Sequence, residues 1–288
     1  MKDSRQSGHA PKADTAAPSN SSASATGILV EMTIDEVRQL SPEVVVIPVG
    51  STEPHGPHLP YGTDTYQVEG VARRAVVQAN MMGARALLYP TLPVSNNVNF
   101  QAFPFACRVS VRTLMLTLLD IIESLEQDGI RKIILLNGHG GNVDTIRATI
   151  REHIGRHRPG QGAFVCMIHS YELLPADKRH VIEHPSDHGG EAETSRMMYL
   201  QPDLVRTQHL GNFPMQQPDC KALADGLAFY VRPWHGYVPV SAGGETRASS
   251  AAKGQIMVEE EARRLAQFIA ALSTAPMHDL FPYAKAEA

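Results

Sequence analysis

Cysteine is scarce in this chain of 288 residues: only Cys107, Cys166 and Cys220, odd in number, far apart and without a CxxC pair. That composition excludes a disulfide-stapled scaffold or a thiolate metal knot and suggests reduced thiols in a cytoplasmic protein. No apolar run approaches the ~18–20 residues of a membrane span, so none is expected. Basic blocks are missing as well. Lys and Arg total 26 against 30 Asp and Glu, a net charge of −4, which argues against nucleic acid or an anionic membrane as partner. There is a single tryptophan, Trp234. No repeat of fixed period and no internal linker interrupts residues 28–280.

What is present fits a globular α/β chain: 43% hydrophobic and 19% charged residues. Residues 1–26 are Ser, Ala, Pro, Asn, Asp and Lys with almost no large apolar side chain. They lack the apolar core of a signal peptide and read as a disordered tail. Residues 27–288 read as one domain. Thr33 with Glu36 three residues on predicts a capped short helix. Short β-branched or aliphatic runs at 44–49, 86–89, 130–136 and 163–168 predict buried strands. Helical spacing predicts helices over 64–80, 111–127, 143–157 and 253–272, and residues 187–200 merge into another that carries Met197, Met198 and Leu200. Strands alternating with helices of ~15 residues imply a mostly parallel central sheet with helices on both faces. Residues 202–239 read as loop.

The chemistry concentrates where strands end. The first strand runs into Gly50-Ser51-Thr52-Glu53-Pro54-His55-Gly56-Pro57-His58, with Asp64 at a helix start. In extended backbone, positions i and i+2 face one side, so Glu53 and His55 can reach one ion. The strand at 130–136 ends in Asn137-Gly138-His139-Gly140-Gly141-Asn142. Ligand sites in open α/β sheets lie beyond the carboxyl ends of strands, so His55 and His139 are expected on one rim. Alone, the second motif also reads as a strand–helix turn with an incidental histidine. A third segment, Asp187-His188-Gly189-Gly190-Glu191-Ala192-Glu193, precedes apolar residues that pull Glu193 inward. Glu191 reads equally as a solvated surface carboxylate. The amides at 95–101, beside Phe100, Phe103 and Phe105, suggest a functional loop.

Charge counting supports two divalent ions. Glu53, Asp64 and Glu193 carry three negative charges, and His55 and His139 none. Two ions leave +1, which a bridging hydroxide cancels. Sharing one carboxylate gives each ion about three protein contacts and open positions for water and substrate. Without thiolates, zinc, manganese, iron and cobalt all qualify. His188 is the candidate acid–base that protonates the leaving nitrogen, oriented by Asp187 or a nearby carboxylate; it also reads as a further ligand.

At these motifs the chain resembles the creatininase (creatinine amidohydrolase) family over roughly residues 28–272. The resemblance implies a three-layer α/β/α fold, a two-metal centre and often a hexamer. It implies Glu53, His55, Asp64 and His139 as ligands, Asp64 as the bridge, and Glu193 completing the set. Creatininase itself has Tyr and Glu where Gly140 and Gly141 stand. Its pocket tryptophans are not matched, since Trp234 lies in another region of the sequence. These departures argue against creatinine as substrate. The resulting expectation is a metal-dependent amidohydrolase that opens a small, cyclic amide at a non-peptide C–N bond through a metal-bridging hydroxide. In that expectation His188 and Glu193 are catalytic, a small molecule is the partner, and the protein is a cytoplasmic homo-oligomer. Hydrolysis of a C–C bond in a cyclic keto-polyol, with Tyr171 and the 95–101 amides binding hydroxyls, is the alternative. A non-catalytic metal-dependent binding subunit is a third.

Overall fold

The computed structural model describes residues 26–283 apart from residue 187. All but the last residue of the expected tail, Asp187 as an orienting group and the last five residues lie outside the described residues.

Helix α1 (Ile34–Leu40) opens with the expected capping box, Thr33 and Glu36 each satisfying the other's backbone. Then come β1 (Val44–Val49), α2 (Thr63–Met81), β2 (Ala86–Leu88), α3 (Val111–Gln127), β3 (Lys132–Asn137), α4 (Val143–Gly155) and β4 (Phe164–His169). The stretch read as loop holds short elements: β5 (Asn212–Phe213), α6 (Lys221–Ala224) and α7 (Trp234–Tyr237). It follows α5 (Glu191–Leu200); β6 (Gly244–Glu245) and the long α8 (Ala251–Thr274) complete the chain.

The main sheet is parallel throughout, in the order β2-β1-β3-β4; β5 and β6 form a small antiparallel pair. From β1 the chain crosses to β2 on one side and returns through α3 to β3 on the other. Strand order therefore reverses between β1 and β3, the switch point where open α/β sheets bind ligands. Pro48, a residue normally kept out of central strands, is tolerated because β2 ends opposite Val46, before Pro48 needs a donor on that side.

Burial on both faces explains why β1, and residues 133–136 of β3, are continuously apolar rather than alternating. Val44, Val46, Ile134 and Leu136 pack against α2 and α8. Val45, Ile47, Ile133 and Leu135 pack against α3, and Ile146 of α4 joins them. Each such side chain contributes about 1.5–3 kcal/mol by leaving water. The result is the expected three-layer α/β/α sandwich. Its register matters for the site: Val49 pairs with Asn137 and Gly138 N–H donates to Val49 O at 2.9 Å, so both rim turns begin at one level.

Candidate metal centre

Two strands and two helix starts deliver the side chains. Glu53 and His55 lie on the turn after β1, and Asp64 lies in the first turn of α2. There the helix dipole favours its negative charge. His139 follows β3. Asn137 aims it, its side chain donating to His139 O at 2.8 Å and accepting from His139 N at 3.2 Å. Asn142 donates to Gly50 O at 3.0 Å and ties the two turns together. A β-carbon at Gly141 would lie 2.5 Å from His139 Nε2, so the imidazole holds its place only beside glycine. Glu193 projects from the first turn of α5.

These five groups converge. Asp64 Oδ1 lies 3.2 Å from His55 Nε2, and Oδ2 lies 3.1 Å from His139 Nδ1. Glu53 Oε1 is 3.3 Å from His139 Nδ1, and Glu193 Oε2 is 3.7 Å from His55 Nε2. The groups sort into two overlapping triads, Glu53–Asp64–His139 and His55–Asp64–Glu193. Glu53 and His55, 3.9 Å apart, each belong to one of these triads, and a third grouping joins the two with His188, so their expected reach toward one ion is kept as well.

The donor set fits cations better than it fits itself. His55 Nε2 and Asp64 Oδ2 are buried and, despite these short approaches, make no hydrogen bond of ordinary geometry. Separations of 3.1–3.7 Å bracket the edge of a tetrahedron built on bonds of ~2.1 Å, about 3.4 Å. In the metal-free protein, burial opposes protonation of His55, yet Asp64, then Glu193 and Glu53, outweigh it and raise its pKa to about 10. His139 likewise resists by burial and is raised to about 10 by Glu53 and Asp64. Asp64 is held well below the usual carboxylate range by the two imidazoles, against its own desolvation.

Around the centre sits a second layer of contacts, several hidden from sequence reasoning. Ser51 donates to Glu53 Oε2 at 3.0 Å and is gripped by Ser95 and Asn97. Ser95 and Asn97 are fully buried, so this part of the 95–101 loop props the carboxylate instead of meeting substrate. Tyr171 donates to Glu193 Oε1 at 3.0 Å, and Gly189 N–H donates to Oε2 at 2.6 Å. Tyr171, first expected to meet a substrate hydroxyl, thus has a carboxylate as its partner. Burial, then Glu193, raises its pKa well above the ordinary phenol value.

Glu191 is not a solvated surface carboxylate. It is buried, accepts from the backbone of Glu183 and His184, and pairs with Lys253 at 2.6 Å. It anchors the segment leading to His188. That imidazole lies against His55 with ring centroids 4.3 Å apart. Its Nε2–H donates to Pro54 O at 2.9 Å, beside Ser241 Oγ at 3.2 Å, which leaves Nδ1 bare and 3.8 Å from Glu53. Burial, then the charge of His55, lowers its pKa. Trp234, distant in sequence, packs edge-on to His188 at 5.2 Å and lines the pocket. Its separation in the chain concealed this; the loop of 202–239 folds back over the rim. The groups open into a cavity of about 820 Å³. Phe100, Trp234, Phe229 and Tyr230 line its walls with Arg179 and Arg232.

A family profile described as creatinine amidohydrolase matches residues 30–269. With this fold and rim geometry, the chain belongs to the creatininase family. It is 31% identical to the mycofactocin precursor peptide peptidase of Mycolicibacterium smegmatis over 169 residues, 58% of this chain. That match spans 62% of the relative's length. A solved Bacteroides fragilis structure, provisionally named a creatinine amidohydrolase, superposes with a TM-score of 0.79 at 27% identity. It covers 89% of this chain and 99% of the other. A manganese creatininase superposes at 0.70 with 25% identity, covering 86% and 99%.

Proposed function

We propose that this protein is a di-metal amidohydrolase that cleaves an amide C–N bond, with Glu53, Asp64 and His139 holding one ion and His55, Asp64 and Glu193 the other. The observation that carries the reading is the pair of triads sharing Asp64, with buried lone pairs unpartnered, at the floor of a cavity. Zinc or manganese suits these nitrogen and oxygen donors. Such ions would lower the pKa of bound water toward ~7 and polarise the substrate carbonyl.

The chain supplies proton handling and exclusion of water. His188 stays neutral at neutral pH because its pKa is lowered, and its bare Nδ1 faces the centre. It accepts a proton from the attacking water and returns it to the leaving nitrogen. Phe100 and Trp234 flank its ring and keep solvent from it.

The cavity also bears on the substrate. Its volume of about 820 Å³ lies toward the upper end of pockets for drug-sized ligands and exceeds what a single small lactam ring fills. Aromatic walls suit an amide carrying an apolar group better than a polyol, so the C–N reading is favoured over the C–C one. The relatives named for a precursor peptide make a short peptide-like amide the extension of the small cyclic amide first expected.

The test is a panel of lactams, formamides, short peptides with aromatic ends, creatinine and keto-inositols, offered to protein loaded with zinc or manganese. Turnover of an amide that is lost in Glu53→Gln supports the reading. Turnover confined to keto-inositols, or full activity in Glu53→Gln, overturns it.

A further inference from the structure

We propose a second metal site at the opposite rim of the sheet, where Glu126, His153 and His157 bind one borderline divalent ion such as Zn(II). His153 lies in the last turn of α4 and His157 four residues on, just past its end, so the two imidazoles share a side. Their ring centroids are 4.7 Å apart. Glu126, in the last turn of α3, gives one oxygen to each. Oε1 lies 3.6 Å from His153 Nε2, and Oε2 lies 3.5 Å from His157 Nε2.

Both separations are too long for hydrogen bonds. They match the ~3.4 Å edge expected when nitrogen and oxygen donors surround zinc at about 2.1 Å. The carbonyl oxygen of Ala163, 3.2 Å from His153 Nε2, is a further oxygen donor beside the triad. The carboxylate is already aimed: Ala163 N–H donates to Glu126 Oε1 at 2.5 Å, the kind of support that fixes a ligating group. Without the ion, His153 Nε2–H donates to Ala163 O. On binding, that nitrogen gives its lone pair to the ion and its proton moves to Nδ1, which is buried with no hydrogen-bond partner among the described residues.

Access and packing agree. His153 is 1% exposed at the inner end, while His157 is half-buried and opens to solvent. Gly162, at φ +79°, crosses the His157 ring so closely that a β-carbon would sit 2.8 Å from it, which holds the imidazole in place. The site lies at the amino end of β4, whereas the rim centre lies at its carboxyl end, roughly 17 Å away for a strand of this length. An ion here would tie the ends of α3 and α4 to the start of β4.

The experiment is Zn(II) titration of chelator-stripped full-length protein, with bound metal counted by plasma mass spectrometry and melting followed by calorimetry. The arms are wild type, Asp64→Asn, His157→Gln and Glu126→Gln/His157→Gln. The expected result is one fewer zinc per chain in both variants of the second site than in wild type. Zinc should also raise the melting temperature of Asp64→Asn. The half-exposed His157→Gln keeps the comparison valid if the double variant misfolds. Uptake by His157→Gln equal to wild type overturns the proposal. Loss of one zinc there, with Asp64→Asn unchanged from wild type, would uphold this site while removing the rim reading.

Discussion

Asp64 divides its carboxylate between two histidines, with Oδ1 3.2 Å from His55 Nε2 and Oδ2 3.1 Å from His139 Nδ1. Asp64 is the side chain common to the Glu53–Asp64–His139 and His55–Asp64–Glu193 triads. Asp64→Asn should therefore cost both rim ions together, where Glu193→Gln should weaken chiefly one. Metal analysis after gel filtration is expected to show this asymmetry, and turnover in Asp64→Asn should fall at least about 100-fold. Equal metal loss in the two variants would contradict the shared role of Asp64.

The imidazoles make metal-free stability depend on pH. His55 and His139 are raised to about 10 in the folded metal-free chain, against about 6.5 when unfolded. A raised histidine stabilises the fold fully below its unfolded pKa, and the contribution disappears as pH climbs through the folded value. Asp64 is depressed, so its own contribution is lost only in strong acid. The melting temperature of chelator-treated protein should thus decline between pH 6.5 and 10. Metal-loaded protein should lack that decline, since bound ions keep both imidazoles neutral. Calorimetry across this window in both states is the check.

The strand–turn pieces of this site were legible because their signals are local. A β-branched run ending in glycine places Glu53 and His55 on the rim, and Asn137-Gly138-His139 repeats the device on the neighbouring strand. The choice between Glu191 and Glu193 was harder. Two residues apart on a helix, they point about 200° away from each other. Only tertiary packing shows that Glu193 meets Tyr171 and His55 while Glu191 meets Lys253. Trp234, Ser241 and Asn97 reach the centre across 46 or more residues of chain, with no periodic pattern to announce them.

Tyr171 is expected to act through Glu193. Its hydroxyl is the 3.0 Å donor to Oε1, and the Arg196 guanidinium lies over its ring at 5.1 Å. Arg196 is itself held by buried Glu261 at 2.5 Å. Tyr171→Phe keeps the ring and removes only the donor. Affinity for the ion assigned to His55, Asp64 and Glu193 should fall about 10–100-fold, the usual cost of losing an outer support. The melting temperature of the stripped protein should barely move. An unchanged zinc or manganese dissociation constant would show that the hydroxyl does not orient the carboxylate.

His188 separates proton transfer from metal binding. Its Nε2–H is committed to Pro54 O, so only Nδ1 can serve the centre, and Glu53 Oε1 is the nearest carboxylate oxygen at 3.8 Å. If it works as acid–base, His188→Gln should lower kcat by about 10²–10⁴-fold while two ions remain bound at the rim. The wild-type kcat profile should also lose activity on the acid side as His188 takes up a proton, and the variant should lack that limb. If His188 is instead a ligand, the same substitution should release an ion along with the activity. Metal content measured beside turnover in one preparation decides between them, because a proton shuttle and a ligand differ only in what leaves the site when the imidazole is gone.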